Sequence, residues 1–287
     1  MKQAILVVAF GTTVERARVR QIDAVVEYIR KQYTEYEVRL AFTSRIIVKR
    51  LRERGEHILT EMGAMEALIA EGYTKIMVQP LHFTGGEEFD KLKQNILSYK
   101  EQVETIRMGR PLLYFMGQED RPDDYDILIN ECIRPLLARE VASENGEGLL
   151  FIGHGGINVG NACYGLLQLK LLRQNLAQVR IAALESYPMV EDMALPWEWL
   201  DGRKPKRIHL HPLLLVAGDH ALHDIFGDDA ESIESQLVAA GYEVIRHEKG
   251  LGEYEVIQKL YAQHLADAIA NRYEGRGTDR PPIPTIK

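Results

Sequence analysis

The stretch Arg207-Ile-His-Leu-His-Pro-Leu-Leu-Leu-Val-Ala-Gly-Asp-His220 decides how the fold is interpreted, because the chain contains a second copy of it. The copy, Lys75-Ile-Met-Val-Gln-Pro-Leu-His-Phe-Thr-Gly-Gly-Glu-Glu88, lies 132 residues earlier. Both copies begin with a mainly apolar run, carry a proline near the middle and end in a glycine followed by two polar residues. This pattern predicts, twice in the chain, a buried strand that leads through a glycine turn into a helix.

Two further pairs of segments support a duplication. Ala4–Thr13 matches Gly148–Ile157 with a shift of 144 residues, and Val38–Ala41 matches Val179–Ala182 with a shift of 141 residues. The alternative is that any two α/β domains share apolar strands that end in glycine. Duplication is the stronger interpretation, because the pairs keep their order and because proline and glycine match as well as the apolar residues.

Short apolar segments alternate with amphipathic helical segments along the whole chain. We predict strands at residues 4–9, 37–42, 75–81 and 111–116 in the first half and at 149–152, 180–185, 207–216 and 243–246 in the second. Strands and helices that alternate at this spacing are typical of parallel sheets built from right-handed βαβ units. The sequence therefore predicts an α/β fold with two similar, internally duplicated halves.

The segment Ser143-Glu-Asn-Gly-Glu-Gly148 is polar and glycine-bearing, which favours a boundary between the halves. We accordingly predict an N-terminal α/β domain at residues 1–143 and a C-terminal α/β domain at residues 144–265. Residues 266–287 are assigned to the end of the last helix and a frayed tail, because the tail is rich in glycine, proline and charge.

The chain of 287 residues is 46% hydrophobic and 27% charged, which is typical of a soluble globular protein. Its formal net charge of -7 argues against non-specific binding to nucleic acid, which needs a basic surface. No apolar run reaches the roughly 20 residues that cross a bilayer, and we identify no secretion signal before the first strand. Cys132 and Cys163 lack metal-ligand spacing, so we expect reduced, structural thiols in a cytoplasmic protein.

Ligands of parallel α/β sheets bind beyond the carboxyl ends of the strands. The candidate side chains that fall at such ends are Phe10, Glu88, His154, Glu185 and His220. Among them, Glu88, His154 and His220 offer one carboxylate and two imidazoles, a set that suits Co²⁺, Ni²⁺, Fe²⁺ or Zn²⁺. The imidazoles could equally accept protons, because imidazole titrates near neutral pH.

Each of these three residues also has a structural explanation. His154, with glycine on both sides, could bind a loop carbonyl, Glu88 could stabilise a helix N-terminus, and His220 could simply begin a helix. Other histidines are weaker candidates, since His82 lies within a strand copy and His223 could at most support His220. The Gly-Thr-Thr after the first strand matches neither a Walker loop nor a dinucleotide fingerprint, so we expect no nucleotide cofactor.

Six motifs occur in order along the chain: Ala9-Phe-Gly-Thr-Thr13, Ala41-Phe-Thr-Ser44, Gly85-Gly-Glu-Glu-Phe89, Gly153-His-Gly155, Glu185-Ser-Tyr-Pro188 and Pro212-Leu-Leu-Leu-Val-Ala-Gly-Asp-His220. Together they resemble the anaerobic sirohydrochlorin cobaltochelatases of the CbiK type, which are class II chelatases related in fold to ferrochelatase. The resemblance extends from about residue 3 to about residue 265. Its last long motif is specific, whereas Gly-His-Gly alone would be weak.

The resemblance implies two flavodoxin-like domains with a tetrapyrrole bound in the cleft between them. It also implies ATP-independent insertion of Co²⁺, the substrate metal, into sirohydrochlorin or precorrin-2. The metal-binding residues of the family fall on Glu88, His154 and His220, which we expect to carry the catalysis as well. We assign substrate contacts to further residues at or near the strand ends: Phe10, Gly11, Thr12, Glu185 and His211.

One motif departs slightly from the family pattern, with Glu87 and Phe89 where a relative has Asp and Tyr, which preserves charge and shape. Two alternatives remain. One is a sirohydrochlorin chelatase for Fe²⁺ or Ni²⁺, since the ligand set does not choose among these metals. The other is a non-catalytic two-lobed protein that binds a metal or a tetrapyrrole. We expect no nucleic-acid or membrane partner, and a homo-oligomer is a further expectation because such chelatases can associate through their helices.

Overall fold

Strand β1 (Lys2–Ala9) lies at the centre of the first of two parallel sheets in the computed structural model, which describes residues 2–141, 146–195, 197 and 204–273. The other strands of this sheet are β2 (Glu37–Phe42), β3 (Leu59–Thr60), β4 (Tyr73–Pro80) and β5 (Thr105–Met108). The order is β3-β2-β1-β4-β5, and every neighbouring pair is parallel. Residues 4–9 are buried throughout, as expected for a strand with both faces covered.

Helices cover this sheet and form, with it, the first compact unit. They are α1 (Glu15–Ala17), α2 (Ala24–Gln32), α3 (Arg45–Glu53), α4 (Glu61–Ala70), α5 (Glu87–Leu97) and α12 (Glu255–Ile269), and the π-helical residues Arg18–Asp23 join α1 to α2. One cluster of the core packs Leu6 and Val8 of β1 against Met65 of α4 and Phe89 of α5. Helix α3 begins at a serine N-cap, since the Ser44 hydroxyl accepts from the backbone N–H of Ile47.

The second compact unit contains a four-stranded parallel sheet. Its strands are β6 (Glu147–Gly153), β7 (Val179–Ala183), β8 (Arg207–Pro212) and β9 (Glu243–Arg246), in the order β7-β6-β8-β9. Its helices are α6 (Asp124–Leu128), α7 (Arg134–Glu140), α8 (Cys163–Arg173), α9 (Val190–Met193), α10 (Asp219–Phe226) and α11 (Ile233–Ala239). On one face of the sheet, Ile208 and Leu210 pack in an apolar cluster with Trp197.

The two sheets repeat one strand order and one pairing register. The order β2-β1-β4-β5 in the first sheet corresponds to β7-β6-β8-β9 in the second. Val8 pairs with Pro80 in the first sheet, and Ile152 pairs with Pro212 in the second. A shift of 144 residues relates Val8 to Ile152, and a shift of 132 residues relates Pro80 to Pro212. The segment matches in the sequence therefore correspond to equivalent positions in space within each unit.

The fourth predicted strand of the first half is wrong. The strand that pairs with β4 is β5, at Thr105–Met108, and residues 111–116 form no strand. Pro111 lacks the N–H that a ladder needs, and the following backbone N–H groups donate to the carbonyls of His82 and Phe83. This segment therefore runs beside the loop after β4, with one isolated bridge between Thr84 and Leu113.

The compact units divide the chain differently from the predicted boundary at 143/144. The first unit comprises Met1–Tyr114 and Gly252–Lys287, and the second comprises Phe115–Leu251. The last helix, α12, belongs to the first unit because it packs against α2 and β4. Of the predicted helix end and tail at residues 266–287, residues 274–287 lie outside the described residues.

The helical segment around Pro135 is continuous. The π-helical residues Ile129–Ile133 join α6 to α7, and Pro135 is the second residue of α7. Cys132 and Cys163 are both free and buried, and burial raises the pKa of Cys132 to about 12. Among the helices of the described residues, none combines the length and the apolar character needed to cross a membrane.

Candidate functional site

The loops after β1 and β6 have the same hydrogen-bonding arrangement. The backbone N–H of Ser44 donates to the carbonyl of Phe10 (3.2 Å), and the backbone N–H of Glu185 donates to the carbonyl of His154 (2.8 Å). Phe10 and His154 therefore occupy equivalent positions, each beyond the carboxyl end of its sheet's central strands. Both are exposed, Phe10 to 53%, although a large apolar side chain is more often buried.

Glycine is required immediately after both residues. Gly11 has φ +105° and Gly155 has φ +85°, values at which side chains are strained. A Cβ on Gly11 would lie 2.5 Å from the Phe42 ring, and a Cβ on Gly155 would lie 2.8 Å from the backbone nitrogen of Ser186. The glycines thus allow a tight turn and a close approach at the carboxyl edge of each sheet.

The His154 imidazole is presented by this turn, with 59% of its side chain exposed. Its Nδ1 lies 3.4 Å from the carbonyl oxygen of Gly155 and 3.7 Å from Oε2 of Glu185. Within the described part of the chain, Nε2 makes no hydrogen bond or ion pair. This nitrogen is therefore the one available for a metal ion or a proton, while Glu185 can stabilise the charged imidazolium.

Glu88 and His220 are the second residues of equivalent helices. Helix α5 begins after the N-cap Gly86 and α10 after the N-cap Gly218, and both glycines have extended backbone. The Glu88 carboxylate is partly exposed and forms an ion pair with Lys91 (3.1 Å). The side chain of His220 lies outside the described residues, so its position is defined here by the backbone of α10 alone.

The other predicted substrate contacts differ in accessibility. Glu185 is exposed, whereas Thr12 is buried and its hydroxyl accepts from the backbone N–H of Val14 (3.1 Å), which is a local turn interaction. His211 is 1% exposed, and its Nε2 lies 2.7 Å from Oε2 of Glu140. Its predicted role in substrate binding stays a prediction, and the structure pairs the imidazole with a carboxylate of α7.

His82 lies directly after β4 on the same edge of the first sheet. Both of its ring nitrogens are buried without a hydrogen-bond partner among the described residues, and its ring meets the Phe89 ring edge-on, 6.3 Å between centroids. Burial lowers the pKa of His82 to about 4, so the ring is neutral at physiological pH. The residue as a whole is half-buried, although its two ring nitrogens are shielded from solvent.

A cavity of about 550 Å³ opens at the carboxyl edge of the second unit. Its ionisable lining residues are Glu185, Glu191, His223, Asp224, Asp229 and Glu231. The imidazole of His223 is paired with Asp229, at 2.9 Å between Nε2 and Oδ2. Such an acidic lining favours cations over anions.

Sequence reasoning missed one cluster altogether, formed by Glu140, His211 and His247 in the second unit. The available signal was the alternation of His209 and His211 on one strand, which places two imidazoles on one face of a sheet. Neither Glu140 nor His247 follows from any spacing in the sequence, because their elements meet β8 only in the folded chain.

The chain is similar to known chelatases over nearly its whole length. Residues 3–270 match the family model described as cobalt chelatase (CbiK). The chain is 31% identical over 272 residues to the sirohydrochlorin cobaltochelatase of Salmonella typhimurium, covering 94% of this chain and 97% of that protein. It is 30% identical over 274 residues to sirohydrochlorin cobaltochelatase CbiKC of Nitratidesulfovibrio vulgaris, covering 94% and 91%.

A solved structure shows the same fold at low sequence identity. It is SirB from Bacillus subtilis with Fe³⁺, with a TM-score of 0.63 and 16% identity, covering 96% of this chain and 98% of that chain. This likeness concerns the fold alone, and it agrees with the two α/β units described above.

Proposed function

Because this chain belongs to the cobalt chelatase (CbiK) family, we propose that it is a chelatase that inserts Co²⁺ into sirohydrochlorin in cobalamin biosynthesis. The observation that carries this proposal is a match that extends over both compact units, from residue 3 to residue 270. Precorrin-2 is the other tetrapyrrole that the predicted function includes, and it differs from sirohydrochlorin in oxidation state.

We infer that Glu88, His154 and His220 bind the cobalt ion. The equivalence of the helix starts after Gly86 and Gly218 supports this set, since the duplication places Glu88 and His220 at corresponding positions. His154 adds an exposed imidazole at a strand end. Two imidazoles and one carboxylate suit a borderline ion such as Co²⁺ and leave coordination positions for the ring nitrogens of the substrate.

The reaction exchanges two pyrrole protons of sirohydrochlorin for one Co²⁺ ion. A base must accept each proton, and the Nε2 of His154 can accept one of them once the ion has passed from this nitrogen to the ring. Glu185, whose Oε2 lies 3.7 Å from Nδ1 of His154, would stabilise the resulting imidazolium. Holding the ion and the macrocycle together replaces an encounter in solution with a positioned reaction.

Substrate contacts are proposed for residues of the two glycine turns. In the first unit, Phe10 offers an aromatic face and Gly11 a close backbone approach, and the buried Thr12 follows them in the chain. In the second unit, the exposed Glu185 offers a carboxylate. For His211, which is buried in the second unit, the substrate contact remains a prediction. The exchange of metal for protons needs no hydrolysis step, so we propose that no nucleotide cofactor takes part. The two free, buried cysteines fit a reducing compartment such as the cytoplasm.

The test is an anaerobic absorbance assay with sirohydrochlorin and Co²⁺, which compares the wild type with His154→Ala and His220→Ala. We expect many equivalents of product per chain for the wild type and rates roughly 10²–10⁴-fold lower for both variants. His57→Ala is the matched control, because this histidine is exposed and lies before β3, outside the predicted site. Its rate should stay within about twofold of the wild type.

The same assay separates the alternatives. Parallel reactions with Fe²⁺ and Ni²⁺ identify the preferred metal, since a faster rate with either ion would overturn cobalt as the substrate. A wild type that forms one equivalent of complex and then stops is a binding protein. A rate equal to that of free metal and free ring removes the enzymatic proposal.

A further inference from the structure

The two faces of strand β8 differ in character. Ile208 and Leu210 lie on one face, within the apolar cluster of the second unit. His209 and His211 alternate with them and therefore lie on the opposite face, where both are buried. Two buried imidazoles on one sheet face are unusual, because burial disfavours polar groups that lack partners.

A carboxylate and a third imidazole meet this face. Glu140, the last residue of α7, places Oε2 2.7 Å from Nε2 of His211 and 3.6 Å from Nδ1 of His247, which follows β9 directly. The rings of His211 and His247 stack with centroids 3.9 Å apart. One ligand atom from each of the three residues lies within 4.8 Å of the other two.

Outer partners orient these ligand atoms. The Nε2 of His247 lies 3.0 Å from Nδ1 of His209, and the Nε2 of His209 lies 3.3 Å from Oε2 of Glu147. Arg207 in turn donates to Oε1 of Glu147 (2.8 Å). Metal-binding histidines characteristically have their second ring nitrogen held in this way.

The Nδ1 of His247 stands 3.6 Å from Oε2 of Glu140. Arg139 donates to the other carboxylate oxygen, Oε1, at 2.7 Å, which leaves Oε2 to the imidazoles. One carboxylate oxygen and two imidazole nitrogens therefore converge, and these are atom types that bind divalent cations.

We propose that Glu140, His211 and His247 bind a first-row divalent transition-metal ion, at a site distinct from Glu88, His154 and His220. The two imidazoles and one carboxylate are the donor types that Zn²⁺ and Co²⁺ accept. On binding, the hydrogen on Nε2 of His211 moves to Nδ1, so the ring stays neutral and its Nε2 becomes a ligand. The ion ties the end of α7 to β8 and to the segment after β9.

Coordination requires the stacked rings to turn apart, because the lone pair of each nitrogen lies in the plane of its ring. His247 is the ring that can turn and also the point of entry, since 22% of its side chain is exposed while His211 is buried. His247 is also the better residue to substitute, because the change leaves the core of the unit intact.

The experiment uses the full chain without a polyhistidine tag and with His154→Ala and His220→Ala, so that the predicted chelation site is absent. Equilibrium dialysis against Co²⁺ or Zn²⁺, followed by elemental analysis, should give about one ion per chain. Adding His247→Gln or Glu140→Gln should weaken binding roughly 100-fold. Adding His223→Gln is the matched control, because His223 is an exposed histidine that also faces a carboxylate, and binding should not change.

Thermal unfolding gives a readout that does not depend on activity. Zn²⁺ should raise the Tm of the background chain and of the His223→Gln control, but not that of the His247→Gln chain. Scans in chelator establish that the metal-free variants are folded. Absence of binding by the background chain, or equal binding before and after His247→Gln, would overturn the proposal and leave a hydrogen-bonded histidine cluster only.

Discussion

Arg110 and Asp267 form a buried ion pair, with 2.7 Å between Nη1 and Oδ2, although 157 residues separate them in the sequence. Their side chains are only 3% and 4% exposed. Arg272 also contacts the carboxylate, at 3.1 Å from Oδ1. Asp267 lies in α12, so this pair joins the last helix to the segment after β5 within the first unit.

Asp267→Asn should lower the free energy of unfolding by about 3 kcal/mol, because it leaves a buried guanidinium without a compensating charge. The control is Glu255→Gln on the same helix, which removes an exposed pair with Lys259 (2.8 Å). That change should lower the stability far less, because solvent screens an exposed ion pair. Urea unfolding of both variants measures the difference, and equal effects would show that the buried pair does not hold α12 in place.

Gly155→Ala should destabilise the protein by about 1–3 kcal/mol, because φ is +85° and the new Cβ would meet backbone 2.8 Å away. Gly165→Ala is the opposite case, since this exposed glycine lies in α8 with nothing within 4 Å of the added Cβ. It should stabilise by about 0.5–1 kcal/mol. Chemical denaturation measures the change in the free energy of unfolding for both variants. No change for Gly155→Ala would contradict the requirement for glycine in the turn beside His154.

Phe10→Ala should change substrate binding more than stability, because the side chain is 53% exposed at a strand end. Loss of an aromatic contact with the macrocycle should cost about 0.5–1.5 kcal/mol, which raises KM roughly two- to tenfold with little change in kcat. Val238→Ala, at a 55% exposed position in α11, is the control. An unchanged KM for Phe10→Ala would remove this residue from the substrate contacts.

His82 should make stability depend on pH in the acidic range. The unfolded chain binds a proton near pH 6.5 and the folded protein only near pH 4, so the unfolded state holds more protons between these values. Stability therefore falls as the pH decreases through this window, by at most about 1.4 kcal/mol per pH unit from this group.

The variant His82→Leu, which carries the residue found at the matching position Leu214, should flatten this part of the pH profile. His57→Leu is the control, because His57 is exposed. Unfolding in urea between pH 4 and pH 7 measures both. A profile for His82→Leu that runs parallel to the wild type would contradict the lowered pKa.

Much of the architecture was predictable from local pattern. Continuous apolar runs located β1 and β6 because strands buried on both faces must exclude polar residues. The matched prolines Pro80 and Pro212 indicated equivalent strands, and the structure confirms the equivalence in the pairing register. The edge strand β5 was missed, because Thr105–Met108 is short and only partly buried and carries little apolar signal.

Of the proposed chelation site, the sequence indicated the residues and the edge of the sheet. Positions at strand ends follow from chain order, since parallel strands bring their carboxyl ends to one edge. The sequence did not indicate that His211 turns into a buried cluster. Its partners Glu140 and His247 lie on elements whose distance from β8 depends on packing.

The sequence by itself thus determined the central strands, their duplication and the residue types at their ends, because these depend on periodicity and on neighbouring residues. Only the tertiary structure decided that α12 belongs to the first unit and that Glu140, His211 and His247 converge. Such contacts join residues far apart in the chain. They are selected by the burial of whole faces and by the pairing of buried charges, which no local pattern encodes.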